Sequence, residues 1–478
     1  MSRISKVRLT PAACAVDLGD GSERGSYVNQ DYILNKLGRP HRGVNLMYCY
    51  YPLDEGWPVR ASEAFKDKEV GFAWDYPYDD YFTYKGGLEG SRDGEPFTCM
   101  QDVRRHGQDV ILTLTCDPHI SDEQIAAIAE DLKPYGRMML RLNHECTGDW
   151  FSFTKRASYK ELGDFFVRFN RILKEHAPQV RIILCAGQVQ DVEHPVLEKE
   201  EEFKEAGRVT DFWSIDNYIA LNWAWPYEVA EKTNNNHKLT DSKIIFEQMR
   251  ATYRRYCDIY GEKKPLVMSE LNSDGDVAGP YKQAAMMKEF YDLVKADPEH
   301  CCSAITLYQF RDDGRLGLEF TDPSNRENGI EWPLMNTYRD IIADSFFKPG
   351  MDAEEHAQLP VTLRWGGAED AEGVALDLDF EGDPVFAEAN FDGELADLNL
   401  MLELNGRWFY KAPGVKFVDF MPAFYNSSIK PGTTLKLNIF APPASGMNDP
   451  AQGSDWLENY YCTLTKLPDV RLRFEPVM

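Results

Sequence analysis

With 478 residues, 43% hydrophobic and 13% aromatic, the chain can bury a large core, which excludes disorder as its main state. Its 78 acidic against 52 basic residues leave a net charge of −26; nucleic acid and anionic membranes are therefore not expected partners, because phosphates are held by clustered Lys and Arg. No run of about 18 apolar residues occurs, so no membrane span is expected.

Residues 1–40 are weakly patterned, with a strand-like stretch at 6–10 and a Gly-rich turn at Gly19-Asp20-Gly21-Ser22. They are expected to form an N-terminal extension covering the main domain. Met1-Ser2-Arg3-Ile4-Ser5-Lys6 lacks an apolar signal core, so the expected location is cytoplasmic, or secreted if a signal peptide has been removed. The ten cysteines form no CxxC pair and no regular framework, a pattern that fits buried thiols in a reducing compartment.

From Gly43 onward short apolar runs alternate with amphipathic stretches, the pattern of a parallel sheet with crossover helices. Strand-like runs fall at 43–51, 70–76, 109–115, 136–143, 180–186, 212–218, 265–270 and 303–310. Between them, Ser121-Asp122-Glu123-Gln124 and Ser158-Tyr159-Lys160-Glu161 are capping boxes that start helices. Apolar residues recur at helical spacing over 158–176, 244–260 and 281–293. Eight strands and their helices within residues 41–348 predict an α/β fold, the (β/α)₈ TIM barrel. The segment 349–359 is read as a linker, and residues 360–478, with short alternating runs between turns, as an all-β sandwich domain. The aromatic run Trp408-Phe409-Tyr410 is read first as sandwich core, with glycan binding as the alternative.

The strand C-termini of such a barrel form its catalytic face. Glu145, after the fourth predicted strand, and Glu270, after the seventh, then face each other across the barrel mouth. Two carboxyl groups flanking one bond are what glycoside hydrolysis needs: one to protonate the leaving oxygen and one to attack the anomeric carbon, with retention at a separation of about 5–5.5 Å. The loops add aromatic faces on which a pyranose can stack, at Trp74, Tyr76, Tyr78, Tyr81, Trp223 and Trp225, and hydroxyl-binding groups at Asp75, Asn272 and Gln309. Arg141 is read as a support that holds a carboxylate beneath the site.

The run Arg141-Leu142-Asn143-His144-Glu145-Cys146-Thr147-Gly148-Asp149-Trp150-Phe151 resembles the Arg-x-x-His-Glu-x-x-Gly-x-Trp-Phe signature of glycoside hydrolase family 26, in the clan of (β/α)₈ retaining hydrolases. Lys264-Pro265-Leu266-Val267-Met268-Ser269-Glu270 resembles the nucleophile strand of that clan, and Asp216-Asn217-Tyr218 its strand-six Asp-x-Tyr. The resemblance implies that Glu145 is the acid/base, Glu270 the nucleophile and Tyr218 its neighbour, with His144, Trp150 and Phe151 lining a sugar subsite. It implies a carbohydrate substrate. No cofactor is expected, and no catalytic metal, because no His-x-His or His-Glu-x-x-His spacing occurs. The chain departs from the clan after Glu270, at Leu271-Asn272, and at Tyr308-Gln309-Phe310, where a Trp is common. Two alternatives stay open: a metal-dependent barrel hydrolase using His119, His144 and aspartates such as Asp117, and a barrel that binds glycans without cleaving them.

Overall fold

The computed structural model describes residues 3–21, 26–69, 75–220, 240–312, 315–442 and 460–475. Eight parallel strands close into a barrel: Ala15–Gly19, Gly43–Tyr50, Asp109–Cys116, Met138–Leu142, Val180–Cys185, Phe212–Ile219, Leu266–Ser273 and Cys302–Leu307, the last pairing back onto the first. Several of them are buried along their whole length, because a barrel strand faces packed side chains inside and helices outside. Both predicted capping boxes form, at Ser121 and Ser158. Helix Tyr159–His176 turns Leu162, Phe165, Phe166, Phe169, Ile172 and Leu173 onto the sheet, as their spacing requires.

The run at 70–76 does not become a barrel strand: residues 70–74 lie outside the described residues, and Asp75 and Tyr76 are not in a strand. Its place in the count is taken by Ala15–Gly19, in register with both neighbours through Leu18 opposite Val44 and Val16 opposite Ile305. Pattern reading misses this strand because it has only five residues with an ionisable one at the centre. Asp17 is fully buried there and is neutralised by Arg42, whose Nε donates to Oδ1 at 3.0 Å. One strand gained and one lost before residue 109 leave the strands leading to Glu145 and Glu270 fourth and seventh.

The N-terminal segment also differs from a simple cover. Strand Ile4–Thr10 sits between Gly350–His356 and Asp370–Phe380 in an antiparallel eight-stranded sheet, so the chain enters that sheet before it enters the barrel. Much of the expected linker is thus a sheet strand. The large sheet packs on a three-stranded sheet of Pro384–Asn390, Phe417–Asp419 and Asp469–Phe474, with Leu376, Leu402, Leu437, Ala387 and Val418 between them, which makes a β-sandwich.

The other face of the large sheet meets the barrel. Trp365, fully buried, donates from Nε1 to the Gly107 carbonyl at 3.1 Å and packs edge-on to Trp408. Phe409 packs edge-on to Phe420 in the sandwich core, and Tyr410 lies 4.0 Å from the His106 ring. The aromatic run is therefore packing. All ten cysteines are free thiols, and no helix among the described residues is long and apolar enough to cross a membrane.

His106, which ends helix Phe97–Arg105, makes this junction sensitive to pH. Burial disfavours its charged form, but Asp102 and Asp31, the latter 3.0 Å from Nε2, outweigh burial and raise the imidazole to about 9. A pKa raised above the unfolded value of about 6.5 gives stability that is full below pH 6.5 and lost as pH rises through 9. His106→Gln is expected to flatten the stability–pH curve over that window, where the parent loses roughly 1–3 kcal/mol once the exposure of Asp31 is allowed for. Urea denaturation of both proteins across the window measures this.

Candidate active site

The fourth barrel strand carries Arg141 into the interior, where it is completely buried. A buried guanidinium is tolerable only with counter-charges and with acceptors for its rigid set of donors. Nη1 donates to both oxygens of Asp216 on the sixth strand, at 2.9 and 2.8 Å, and to Ser269 Oγ at 3.2 Å. Nη2 donates to Glu270 Oε1 on the seventh strand at 2.5 Å, and Nε to Thr113 Oγ1 on the third at 2.8 Å. Ser269 and Thr113 pass the network on, donating to Asp216 at 2.6 Å and to Asn45 at 2.8 Å. Burial opposes the charge of Arg141, but Asp216 and Glu270 restore it and hold the guanidinium above its usual range.

Glu270 is 5% exposed, with its other oxygen accepting from the Tyr218 hydroxyl. Two donors on different strands thus set where its lone pairs point. Burial, then the charges of Glu270, Asp216 and Glu145, push the Tyr218 phenol well above its usual value. Tyr218 stays a donor, and Glu145 is close enough to act on it.

After Leu142 the backbone turns sharply, with Asn143 and Glu145 both in the left-handed region at φ 45° and 51°. Such a conformation costs of order 1–3 kcal/mol per non-glycine residue and persists only where its surroundings enforce it. Here the enforcing bonds run to the third strand: Asn143 N donates to Leu114 O at 3.0 Å, and its side chain both accepts from Cys116 N (2.6 Å) and donates to Cys116 O (3.2 Å). The turn sets Glu145 half-buried at the barrel mouth, where Oε2 accepts from Trp150 Nε1 at 2.7 Å.

His144 lies beside Glu270, its Nε2 4.0 Å from Oε1 and its ring 4.6 Å from Phe151. Burial, and then the charge of Arg141, push its pKa well below the usual imidazole range, so the ring is neutral at neutral pH. Phe151 is followed by Ser152, whose backbone N–H donates to Asp79, itself held by the Tyr51 hydroxyl at 2.6 Å.

Eight expected site residues thus come together: Glu145, Glu270, His144, Trp150, Phe151, Asp216, Tyr218 and Tyr81, whose ring lies 6.1 Å from His144 and 6.4 Å from Phe151. Asn272 does not join them. It is fully buried, and its side-chain amide donates to the carbonyls of Tyr308 and Leu316, tying the seventh strand to the loop after the eighth. Gln309 is 2% exposed, and its amide nitrogen has no partner among the described residues. Asp75 is exposed, while Tyr78 is buried and stacked on Tyr51 as loop packing. Trp74, Trp223 and Trp225 lie outside the described residues.

The sequence reading missed Thr113, Ser269, Asn143 and Asp79 as supports. Thr113 and Ser269 had a signal, a hydroxyl among the apolar residues of a buried strand.

His144, Asp216 and Glu270 offer ligand atoms within 4.8 Å of one another, a spacing that could suit a metal ion. Yet three of the four carboxylate oxygens in that group already accept from Arg141. The permanently protonated guanidinium is the cation they surround, and a divalent ion would add like charge beside it. His119 and Asp117 engage Arg156 instead, His119 through the Arg156 carbonyl at 3.1 Å.

The fold and site together define a (β/α)₈ barrel with a glutamate at the end of its fourth strand and another on its seventh. No family model and no curated protein sequence matches the chain. Similar solved structures include a family 26 β-mannanase from Bacteroides ovatus (10% identity, 70% of this chain and 89% of that one, TM-score 0.41). Others are an α-L-arabinofuranosidase from Thermotoga maritima (12%, 92% and 100%, 0.45) and a family 39 β-xylosidase from Caulobacter crescentus (15%, 90% and 96%, 0.42).

Removing the cation while leaving its partners buried is expected to be costly. Arg141→Met should lower stability by roughly 3–5 kcal/mol, read from the denaturant midpoint, because Asp216 and Glu270 then face each other uncompensated.

Proposed function

We propose that the chain is a glycoside hydrolase that cleaves β-linked glycans or oligosaccharides by double displacement, with retention. The observation that carries this reading is the unequal setting of the two glutamates. Glu270 is deep and fixed by Arg141 and Tyr218, as a carboxylate nucleophile must be aimed; Glu145 is half-buried beside a neutral indole.

In the proposed reaction Glu270 attacks the anomeric carbon while Glu145 gives its proton to the departing glycosidic oxygen, leaving a glycosyl ester on Glu270. Glu145, now ionised, takes a proton from water; that water attacks the anomeric carbon, breaks the ester and returns Glu270 as a carboxylate. Neutral His144, Phe151 and Trp150 form an uncharged wall beside the reacting sugar. A net charge of −26 does not repel a neutral glycan.

Glu145→Ala is expected to slow hydrolysis of natural glycosides by about 10²–10⁴-fold while sparing glycosylation by substrates with good leaving groups. Azide should rescue it with a product of retained β-configuration. Full activity of Glu270→Ala on a panel of β-mannan, β-glucan, β-xylan and β-galactan would falsify the nucleophile assignment.

The cluster of His144, Asp216 and Glu270 supports a second reading, metal-dependent hydrolysis at the same mouth. Exhaustive chelation separates the two: activity should be unchanged where Arg141 is the resident cation, and lost and restored by added metal where an ion is needed.

A further inference from the structure

Among the described residues, the two most exposed large apolar side chains are Tyr281, 80% exposed, and Tyr425, 69% exposed. Each lines a groove on the outside of the barrel rather than at its mouth. The first groove, about 630 Å³, lies between helices Pro280–Ala296 and Pro333–Ala343, with Tyr281, Trp332 and Asn336 on its walls. The second, about 530 Å³, lies where helix Gln30–Leu37 and helix Pro333–Ala343 meet the β-sandwich, and is lined by Tyr425, Arg407 and again Asn336. Asn336 lines both, so the two grooves meet across the helix at one amide and form a track with an exposed aromatic ring in each.

Single exposed rings are common on protein surfaces, but a flat ring in a groove beside amides is a surface on which a pyranose can stack while its hydroxyls are hydrogen-bonded. Two buried polar atoms of the track, Trp332 Nε1 and Arg407 Nε, have no hydrogen-bond partner among the described residues. Charge gives it direction. Lys36 and Arg339 are neutralised by Glu331, at 2.7 and 3.3 Å. Arg407 makes no ion pair among the described residues; its Nη2 donates to the Asn35 carbonyl at 2.7 Å, and burial and then Arg339 lower its pKa. The wall of this groove carries three cationic side chains, Lys36, Arg339 and Arg407, against the one exposed carboxylate of Asp340, and Arg407 is the cation there that makes no ion pair among the described residues.

We propose that this outer-wall track is a second carbohydrate site, separate from the two glutamates, that binds a glycan strand and takes an acidic substituent, a uronate, against Arg407. The choice of ligand class rests on the glycosidase reading above. The track would keep the enzyme on a polymer while the barrel mouth works.

The test is affinity electrophoresis of full-length Glu270→Ala protein through gels containing β-mannan, β-glucan, unsubstituted xylan or glucuronoxylan. At least one glycan should retard it, and adding Tyr281→Ala with Tyr425→Ala should weaken that binding about 10-fold or more. On the active background, the same tyrosine pair should leave turnover of small aryl glycosides unchanged. Glucuronoxylan should retard more than unsubstituted xylan, and Arg407→Gln should erase the difference. Retardation by no glycan, or undiminished retardation of the tyrosine double variant, overturns the proposal. Tyrosine-dependent retardation without hydrolysis of any glycan by the active parent would leave this site standing and remove the glycosidase reading. Hydrolysis without tyrosine-dependent retardation does the reverse.

Discussion

The buried guanidinium of Arg141 is the constraint on which the interior depends. It reaches Thr113, Asp216, Ser269 and Glu270 directly and Asn45 through Thr113, so five of the eight barrel strands hang on one side chain and its partners. A buried ion network is weak evidence for stability, since a well-packed apolar cluster of the same volume often does as well or better. What it does give is position: Glu270 cannot turn without breaking a charge-assisted bond to Arg141 or its bond to Tyr218.

Above that layer, the two glutamates come from the same residue type and are made different by their surroundings. Glu270 sits within the seventh strand, bonded to a cation, where the strand's register shifts against both neighbours. Glu145 follows a left-handed turn imposed by Asn143, and the turn lifts it to the rim beside Trp150. In the proposed reaction that difference separates a fixed nucleophile from a group that must give up a proton and take one back. The unusual backbone is thus a positioning device, held by bonds to Leu114 and Cys116 rather than by any preference of Glu itself.

Much of this was legible in the sequence because strong chemistry breaks strong patterns. Arg141, Asp216 and Glu270 interrupt or end apolar runs that have no other use for charge, and their order along the chain matched a (β/α)₈ barrel. Ala15–Gly19 was illegible for the same reason: Asp17 broke the run, and nothing local showed that Arg42 would neutralise it. The pairing of Ile4–Thr10 with Gly350–His356 spans more than 300 residues, beyond the reach of periodicity. Asn272 misled because a polar residue after a nucleophile strand looks like a ligand-binding group, whereas its amide serves two carbonyls of a neighbouring loop.

The β-sandwich shares its large sheet with the first strand of the chain and turns Trp365, Trp408 and Tyr410 onto the barrel, so the two layers of the molecule are joined at both ends of the barrel sequence. At the barrel mouth, Glu270 is proposed to carry the sugar. The most direct measurement is incubation with a panel of activated 2-deoxy-2-fluoro-β-glycosides, followed by mass spectrometry of the digested protein. The account predicts a stoichiometric glycosyl adduct on the peptide containing Glu270, absent in Glu270→Ala. An adduct on another carboxylate, or none with a sugar whose unfluorinated glycoside is turned over, would contradict it.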